Sequence, residues 1–509
     1  MDHSTEIVTK GVLCLIALAA ILWRHRRSCP LPRERAGQLL GIAAAVAVAA
    51  WFNFGLFHGA GFVHYWEQFH YFLGSKYFSE LGYDGLYVAS MAAQQESSPQ
   101  LAIQPFIRDL RTNTVVPPHS VPEHKAEVRG RFSAARWRAF VADNQHFLES
   151  NDLDYLRQIR TDHGYNPTPT WTFVARLADS LLPASRANLE LLGALDPILL
   201  ILMFIVVFKT YGSRIGCVAL ILFGLGYAWR FDWVGGAFLR QDWLAAVVIG
   251  ICALRRGRFA LAGGLFAYAT MVRIFPVLFV FGLVVLAVRG VVRRESLRWA
   301  LRFAGGFALS LLLCFAAGCL TGRGAGAWPE FARNLAKHQG TWLTNNVGSK
   351  NLVLYGPETV SRQMVDFTIP EPWSLWQVHM DRLQRERIGA VFALAFAMLA
   401  LVSVAAWRSP PDEAAVLGPA AVFAAVVLTC YYWVMLVAVP LRRGSSAAVG
   451  VLLVSLGLYG LDLVTPSFEM IYGAMSWALA VLFLVWMAPD LAATVRGWRA
   501  SSGRRARVA

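Results

Sequence analysis

The sequence predicts an all-α polytopic membrane protein with about 11–13 transmembrane helices. Hydrophobic residues make up 56% of the 509 residues and charged residues only 16%, whereas soluble domains are about a quarter charged. Apolar runs of about 18 residues or more recur along the chain, which is the length that a helix needs to cross a bilayer. Because lipid cannot satisfy backbone hydrogen bonds, isolated spans must be helical.

Short arginine-rich loops set the predicted topology. The net charge of +15 is concentrated between apolar runs, in stretches such as "WRHRRS", "RRGRF", "VRRESLR" and "PLRRG". This is the pattern of cytoplasmic loops. No basic stripe with interleaved aromatic residues is visible, so nucleic acid is not an expected partner. The seven cysteines form no CxxC pair, and most are expected to be buried apolar residues.

Five segments follow from this topology. Two transmembrane helices occupy residues 1–57, and a large outer loop with interfacial helices occupies 58–188. A transmembrane core over 189–320 precedes a second outer loop over 321–387, and 388–509 holds the last helices and a basic cytoplasmic tail. Both large loops lie outside, so the chemistry is expected on the outer face.

The apolar run Leu261–Val288 begins and ends next to basic, cytoplasmic stretches. One crossing cannot place both ends on the same side. We therefore predict a hairpin broken at Arg273–Pro276, where proline cannot continue the preceding turn. Each arm of about 14 residues would be about 21 Å long, so its tip would be buried among other helices. Ala414–Leu441, interrupted at "TCYYWVM", predicts a second hairpin.

The stretch "FVHYWEQFHYFLGSKYFSELGYDGLY" opens the first outer loop. Glu67, His70 and Tyr71 share one helix face, because they are spaced i, i+3 and i+4. The whole helix is predicted to be interfacial and amphipathic, with aromatic residues at the level of the lipid head groups. A carboxylate on that face needs a partner or a function. Glu67 is therefore a candidate general base, and Asp84 in "GYDGLY" is the alternative unless it only forms a turn.

The outer connection "RFDWVGGAFLRQDW" holds Arg230, Asp232, Arg240 and Asp242. These residues could form two surface ion pairs, which contribute little energy. They could equally form a buried network with one arginine free for a phosphate.

Arg273 is an ionisable residue inside an apolar run, which by itself suggests a function. It could pair with Asp196 of "GALDPILL", or bind phosphate through its fork of donors. Lys350, in "HQGTWLTNNVGSKNLVLYG", is a further candidate anion ligand, although a turn would also explain that loop. His119 and His124 lie in a proline-rich stretch and are expected to be solvated.

These motifs together resemble bacterial polyprenyl-phosphate-dependent glycosyltransferases of GT-C architecture, in particular glycosyltransferase family 87. Gln241, the run "LAGGLFAYA", Arg273 and Pro276 are similar to that family's Gln-containing helix start, small-residue run and Lys-x-x-Pro break. Glu67 stands where the family has an aspartate, and "NNVGSKNLVLYG" and "TCYYWVMLVAVPL" resemble its "NQS" loop and its aromatic segment. The chain departs from the family at Glu67, which replaces an aspartate, and at Arg273, which replaces the lysine of the break. It also has a longer first loop and an additional first span.

The resemblance implies a GT-C-like bundle with two large periplasmic loops in a bacterial inner membrane and a cytoplasmic C-terminus. It implies inverting, metal-independent transfer of a sugar from a polyprenyl phosphate to a glycan or lipid acceptor, with no cofactor beyond the lipid-linked donor. Glu67 would accept the proton. The donor phosphate would be bound by Arg240, Arg273, Lys350 and His70. Supporting roles would fall to Arg230, Asp232, Asp242, Asp196 and Tyr71.

This hypothesis requires Glu67, Arg240, Arg273 and Lys350 to face one cavity. A transporter or flippase of lipid-linked or anionic substrates is the alternative, because broken helices with a charge at the break occur there too. Against it, the chain shows no evident repeat and places its polar mass on one side. A ligase or polymerase of surface glycans is a third hypothesis.

Overall fold

The computed structural model describes residues 2–25, 32–59, 61–101, 104–338, 340–442, 446–465 and 467–505. The α-helices are α1 His3–His25, α2 Arg33–Trp51, α3 Tyr65–Lys76, α4 Phe78–Leu81, α5 Leu86–Ser97, α6 Pro122–Gly130, α7 Ala134–Ser150, α8 Leu153–Ile159, α9 Pro169–Asp179, α10 Arg186–Gly193, α11 Leu195–Leu225, α12 Phe231–Val234, α13 Asp242–Arg255, α14 Phe259–Val272, α15 Phe281–Arg293, α16 Arg298–Gly318, α17 Ala327–His338, α18 Asn351–Leu354, α19 Ser374–Ala406, α20 Pro411–Val416, α21 Gly418–Ala425, α22 Ser446–Asp462 and α23 Phe468–Arg505. The basic stretch 26–31, with Cys29, lies outside the described residues.

The prediction of a helical polytopic membrane protein is confirmed at this level. Among the described residues, six helices are long and apolar enough to cross a membrane: His3–Leu22, Arg186–Leu225, Phe275–Val292, Arg298–Gly318, Ser374–Ala406 and Phe468–Thr494. Shorter apolar helices cover Phe259–Val272, Cys430–Leu441 and Ala447–Asp462. Two small antiparallel pairs are an exception to the all-α prediction: β1 (Ile107–Asp109) with β2 (Thr114–Val116), and β3 (Asn346–Val347) with β4 (Leu428–Thr429).

The long helix α11 is interrupted near its middle. Gly212 has φ 82° and ψ 170°, which breaks the helix, and glycine adopts such angles without steric cost. The chain then folds back on itself. The rings of Phe204 and Phe223 lie 5.8 Å apart, and Gly216 faces the ring of Phe208. The two halves therefore run antiparallel.

The break predicted at Arg273–Pro276 is confirmed. α14 ends at Val272, a 3₁₀ turn covers Phe275–Val280, and α15 follows. α16 lies parallel to α14, because Trp299 packs on Phe259 near both helix starts and the Ser310 hydroxyl donates to the Gly264 carbonyl further along. The chain between them must therefore run back, as a hairpin does.

The second predicted hairpin also returns to its start. α21 ends at Ala425, and β4 is followed by a 3₁₀ helix, Cys430–Leu441. The break therefore precedes the predicted "TCYYWVM", which is mostly 3₁₀-helical. Arg442 then hydrogen-bonds Ser409, before α20. At the break, the chain pairs with β3 of the second outer segment, which satisfies backbone groups that the helices leave free.

The prediction that α3 is an interfacial helix is wrong. Phe69, Phe72 and Leu73 have no exposed surface, and Phe69 packs edge-on against Phe147 of α7. An amphipathic pattern alone does not distinguish a lipid surface from a protein core. His124 is also not solvated, because it is buried 3.2 Å from Asp109.

Candidate functional site

A cavity of about 860 Å³ lies where the first outer segment meets the ends of the membrane helices. Of the predicted site residues, it is lined by Glu67, His70, Tyr71, Asp232 and Arg240. The rest of its wall is rich in aromatic and polar side chains, which include Trp66, Tyr155, Asp162, His163, Trp233, Asn345, Tyr431 and Tyr432.

α3 presents Glu67, His70 and Tyr71 to this cavity from one face, as their spacing predicts. The helix begins after His64, whose Nδ1 accepts the backbone N–H of Glu67 at 3.3 Å. Burial lowers the pKa of His64 to about 3, so the ring is neutral and able to accept. His70 Nδ1 bonds the Trp66 carbonyl at 2.8 Å and therefore donates, which leaves Nε2 to accept from the Tyr87 hydroxyl at 2.7 Å.

The segment between α11 and α13 docks directly against the start of α3. Gly236 has φ 70°, and a Cβ there would lie 1.7 Å from the carbonyl oxygen of Phe62. Its own carbonyl accepts the backbone N–H of His64 at 3.2 Å and the amide of Gln68 at 3.3 Å. Only glycine allows this approach, and the approach brings Arg240 to Glu67.

Glu67 and Arg240 form a nearly buried ion pair. Arg240 Nε lies 2.9 Å from Glu67 Oε2, and the side chains are 3% and 14% exposed. Another guanidinium nitrogen donates to the Tyr71 hydroxyl, and the guanidinium lies over the rings of Tyr71 and Tyr431. Burial raises the pKa of Tyr71 above its usual value, so this hydroxyl stays protonated. Arg240 therefore holds the Glu67 carboxylate in place.

Asp196 positions Arg240 and does not pair with Arg273. Its two carboxylate oxygens accept the backbone N–H groups of Arg240 and Gln241 at 2.8 and 2.9 Å. They thereby satisfy donors at the start of α13 that no helical carbonyl can reach.

Arg273 is buried without a carboxylate partner. Its guanidinium donates only to the carbonyls of Val272 and Leu239, at 3.1 and 3.5 Å, and forms no ion pair within the described ranges. Nε has no hydrogen-bond partner there. The group lies 5.5 Å from the centre of the Trp171 ring, and the opposite charges of Arg240 and Asp242 both act on it. It is not part of the cavity wall, and lies in the layer behind Arg240.

The other charged residues between α11 and α13 do not pair with one another, so of the two alternatives the surface ion pairs are absent. Arg230 lies 3.4 Å from Glu6 of α1 and 3.7 Å from Asp462 of α22. Asp232 lies 3.8 Å from His58. Asp242 accepts from the Tyr268 hydroxyl at 3.0 Å. Arg230 is thus part of a buried network that joins the first and penultimate helices.

Two predicted residues lie away from this cavity. Asp84 pairs with Arg131 at 3.2 Å and Arg111 at 3.4 Å on the outer segment. Lys350 lines a neighbouring cavity of about 490 Å³. Of the four residues expected to face one cavity, Glu67 and Arg240 do so, Arg273 lies behind them, and Lys350 does not. The predicted four-residue site is therefore wrong, and only its Glu67–Arg240 part is present in this cavity.

Asp162 is a wall residue that the sequence did not indicate. It follows α8, and its Oδ2 accepts the indole N–H of Trp66 at 2.9 Å. Burial alone would raise the pKa of Asp162, but hydrogen bonds from the His163 backbone and the Trp66 indole favour its charged form, and its pKa lies below its usual value. A second ionised carboxylate therefore lies in the same cavity as Glu67. A single aspartate in a loop has no local pattern that could have revealed this.

Within the described part of the chain, no group of three or more His, Cys, Asp or Glu residues is placed to hold a metal ion. No family model, no curated protein and no solved structure matches this chain.

Proposed function

We propose that this protein is an integral-membrane glycosyltransferase of GT-C type, which transfers a sugar from a polyprenyl-phosphate donor to a glycan or lipid acceptor. The observation that carries the proposal is the buried Glu67–Arg240 pair on an aromatic-lined cavity, with a second buried arginine, Arg273, behind it. A carboxylate beside cationic phosphate ligands is the combination that such a displacement needs.

Glu67 is the proposed general base. The acceptor hydroxyl attacks the anomeric carbon, the bond from that carbon to the phosphate oxygen breaks, and the hydroxyl proton passes to the Glu67 carboxylate. One displacement inverts the anomeric centre and releases the polyprenyl phosphate. Arg240 now neutralises Glu67 at 2.9 Å. A donor phosphate would compete for this arginine and so free the carboxylate to accept a proton.

Arg240, in the cavity wall, is the proposed phosphate ligand, and Arg273, in the layer behind it, adds positive charge to the site. Arginine presents a planar fork of donors that matches phosphate oxygens, and it stays charged when buried. Arg273 donates only to carbonyl oxygens among the described residues, and the nearby Asp242 acts on it without forming a contact ion pair. Stabilisation of the leaving phosphate lowers the barrier directly, since negative charge develops there in the transition state.

The aromatic wall suits a sugar. Trp66, Trp233, Tyr431 and Tyr432 offer apolar ring faces next to polar tips. Asp162, fixed by Trp66 through one oxygen, keeps its other oxygen for a hydroxyl group. We place this cavity on the periplasmic side of a bacterial inner membrane, with about 11–13 crossings and a cytoplasmic C-terminus.

The test uses the purified full-length protein with a radiolabelled polyprenyl-phosphate sugar and fractionated cell-envelope acceptors. We expect release of polyprenyl phosphate together with label in an acceptor fraction. Asp84→Asn is the matched control, because this carboxylate lies outside the cavity, and it should keep wild-type activity. Saturable donor binding without release in any fraction would refute the transferase and favour a transporter.

A further inference from the structure

A second cavity adjoins the first and shares Leu343 and Thr429 with its wall. It has a volume of about 490 Å³, within the range of small-molecule sites. One side is polar and includes Lys350, Ser349 and Asn346, and the opposite side is an apolar strip of α19.

Lys350 is the only lysine or arginine in the described wall of this cavity. Its Nζ lies 3.8 Å from the centre of the Trp342 ring, and it forms no ion pair in the described parts of the chain. Burial lowers the pKa of Lys350 to about 8. The amine is therefore charged at neutral pH, and its desolvation is offset in part by the ring and by the charge of Asp381, which also lines this cavity.

Trp342 is held rigidly beneath this lysine by α19. Its indole N–H donates to Asp381 at 2.7 Å. Its backbone N–H donates to the Gln377 side-chain oxygen, and its carbonyl accepts from the same amide, both at 2.7 Å. These bonds fix the ring and hence the place of the ammonium group before any ligand arrives.

The α19 wall changes character along the cavity. It runs from Asp381 to Ala395, about 21 Å at helical rise. The charged stretch "RER" ends at Arg387, and residues 388–407 contain no charge. Phe392 in this wall is 56% exposed and Phe396, one turn further, is 70% exposed. In a membrane protein, such residues face lipid. The cavity therefore spans the boundary between a polar and a lipid-facing surface.

We propose that this cavity binds the phosphate head group of a membrane lipid at Lys350, with the hydrocarbon chain along Val391, Phe392 and Ala395. Lysine binds phosphate as a point charge, and the apolar strip would hold the chain at the edge of the bilayer. The site uses none of the residues assigned to sugar transfer. It therefore does not depend on that reaction.

The test counts farnesyl phosphate bound to the full-length protein in neutral detergent by native mass spectrometry. Arg240→Gln combined with Glu67→Gln removes the cation of the larger cavity without leaving Glu67 unpaired, so one bound molecule in that variant reports the second site. Adding Lys350→Gln should weaken this binding at least about tenfold, whereas Lys350→Arg should retain it. Lys209→Gln, which removes an exposed lysine elsewhere, should change nothing.

Farnesol, which lacks the phosphate, tests the role of the charge. Inorganic phosphate, which lacks the hydrocarbon chain, tests the role of that chain. Both should bind at least about tenfold more weakly than farnesyl phosphate. Phe392→Ala changes an exposed side chain, so it should weaken binding with no loss of thermal stability. Equal binding by the Lys350→Gln protein would overturn the proposal. If inorganic phosphate binds as tightly as farnesyl phosphate, the proposed lipid ligand is overturned and the cavity is a site for free phosphate. If transfer fails but farnesyl phosphate binds through Lys350, only the proposed function is lost.

Discussion

Asp196→Asn is the substitution that most sharply tests how Arg240 is positioned. In the wild type, both carboxylate oxygens accept backbone N–H groups, those of Arg240 and Gln241, at 2.8 and 2.9 Å, and the residue is buried. Asparagine has the same shape but only one accepting oxygen. Its amide group would face a backbone donor, so one N–H at the start of α13 would lose its partner.

The expected cost follows from that count of hydrogen bonds. One charge-assisted bond contributes about 1.5–3 kcal/mol, and leaving its buried donor unsatisfied accounts for much of the loss. We therefore expect Asp196→Asn to lower the free energy of unfolding by about 2–3 kcal/mol. Because the start of α13 would shift, sugar transfer should also fall, through misplacement of Arg240 against Glu67.

Unfolding in mixed SDS micelles measures the free energy directly. Asp154→Asn is the control, since this side chain is 81% exposed and pairs only with Arg157; its effect should stay within about 0.5 kcal/mol. An Asp196→Asn protein as stable as the control would refute this account.

Three further predictions concern the site and its neighbours. Gly236→Ala should destabilise the protein by about 3 kcal/mol or more, since the new Cβ would overlap a backbone carbonyl. Gly305→Ala is the control and should not destabilise the protein, because its Cβ meets no atom within 4 Å. Similar melting temperatures for the two variants would argue against the docked geometry. Arg240→Met should lower the free energy of unfolding by about 3–5 kcal/mol, because it leaves Glu67 unpaired. Adding Glu67→Gln to the same chain should restore at least about 1 kcal/mol of this loss. If the two effects simply add in unfolding experiments, the ion pair is contradicted. The pKa of the Lys350 amine is about 8 in the folded protein and 10.5 in the unfolded chain, so the unfolded chain binds more protons between these values. The free energy of unfolding, measured relative to Lys350→Gln, should therefore rise with pH in that window, while farnesyl phosphate binding weakens. If either quantity does not change with pH, the burial of this amine is contradicted.

Local patterns predicted those features that depend on neighbours in sequence. Proline three residues after Arg273 predicts the helix break, because the constraint acts on the turn before it. The spacing of Glu67, His70 and Tyr71 predicts a shared face, because helical geometry is local. The charge at both ends of Leu261–Val288 predicts the reversal without any knowledge of tertiary packing.

Contacts between residues far apart in the sequence determine the features that the sequence did not predict. Arg230 pairs with Glu6 and Asp462, which lie in distant helices, so proximity in sequence to Asp232 was misleading. Asp162 reaches the cavity only because the first outer segment folds back over α3. An amphipathic helix such as α3 shows that one face is buried, but its sequence does not say whether lipid or protein covers it.

The transfer reaction of the Glu67→Gln protein tests the central claim most directly. Glutamine keeps the shape and an oxygen that can face Arg240, but it cannot take up a proton. With a labelled polyprenyl-phosphate sugar and a saturating acceptor fraction, transfer should fall by about 10²–10⁴-fold, while binding of the donor lipid by the same preparation is retained. Wild-type rates of polyprenyl phosphate release from the Glu67→Gln protein would contradict the role of Glu67 as the base.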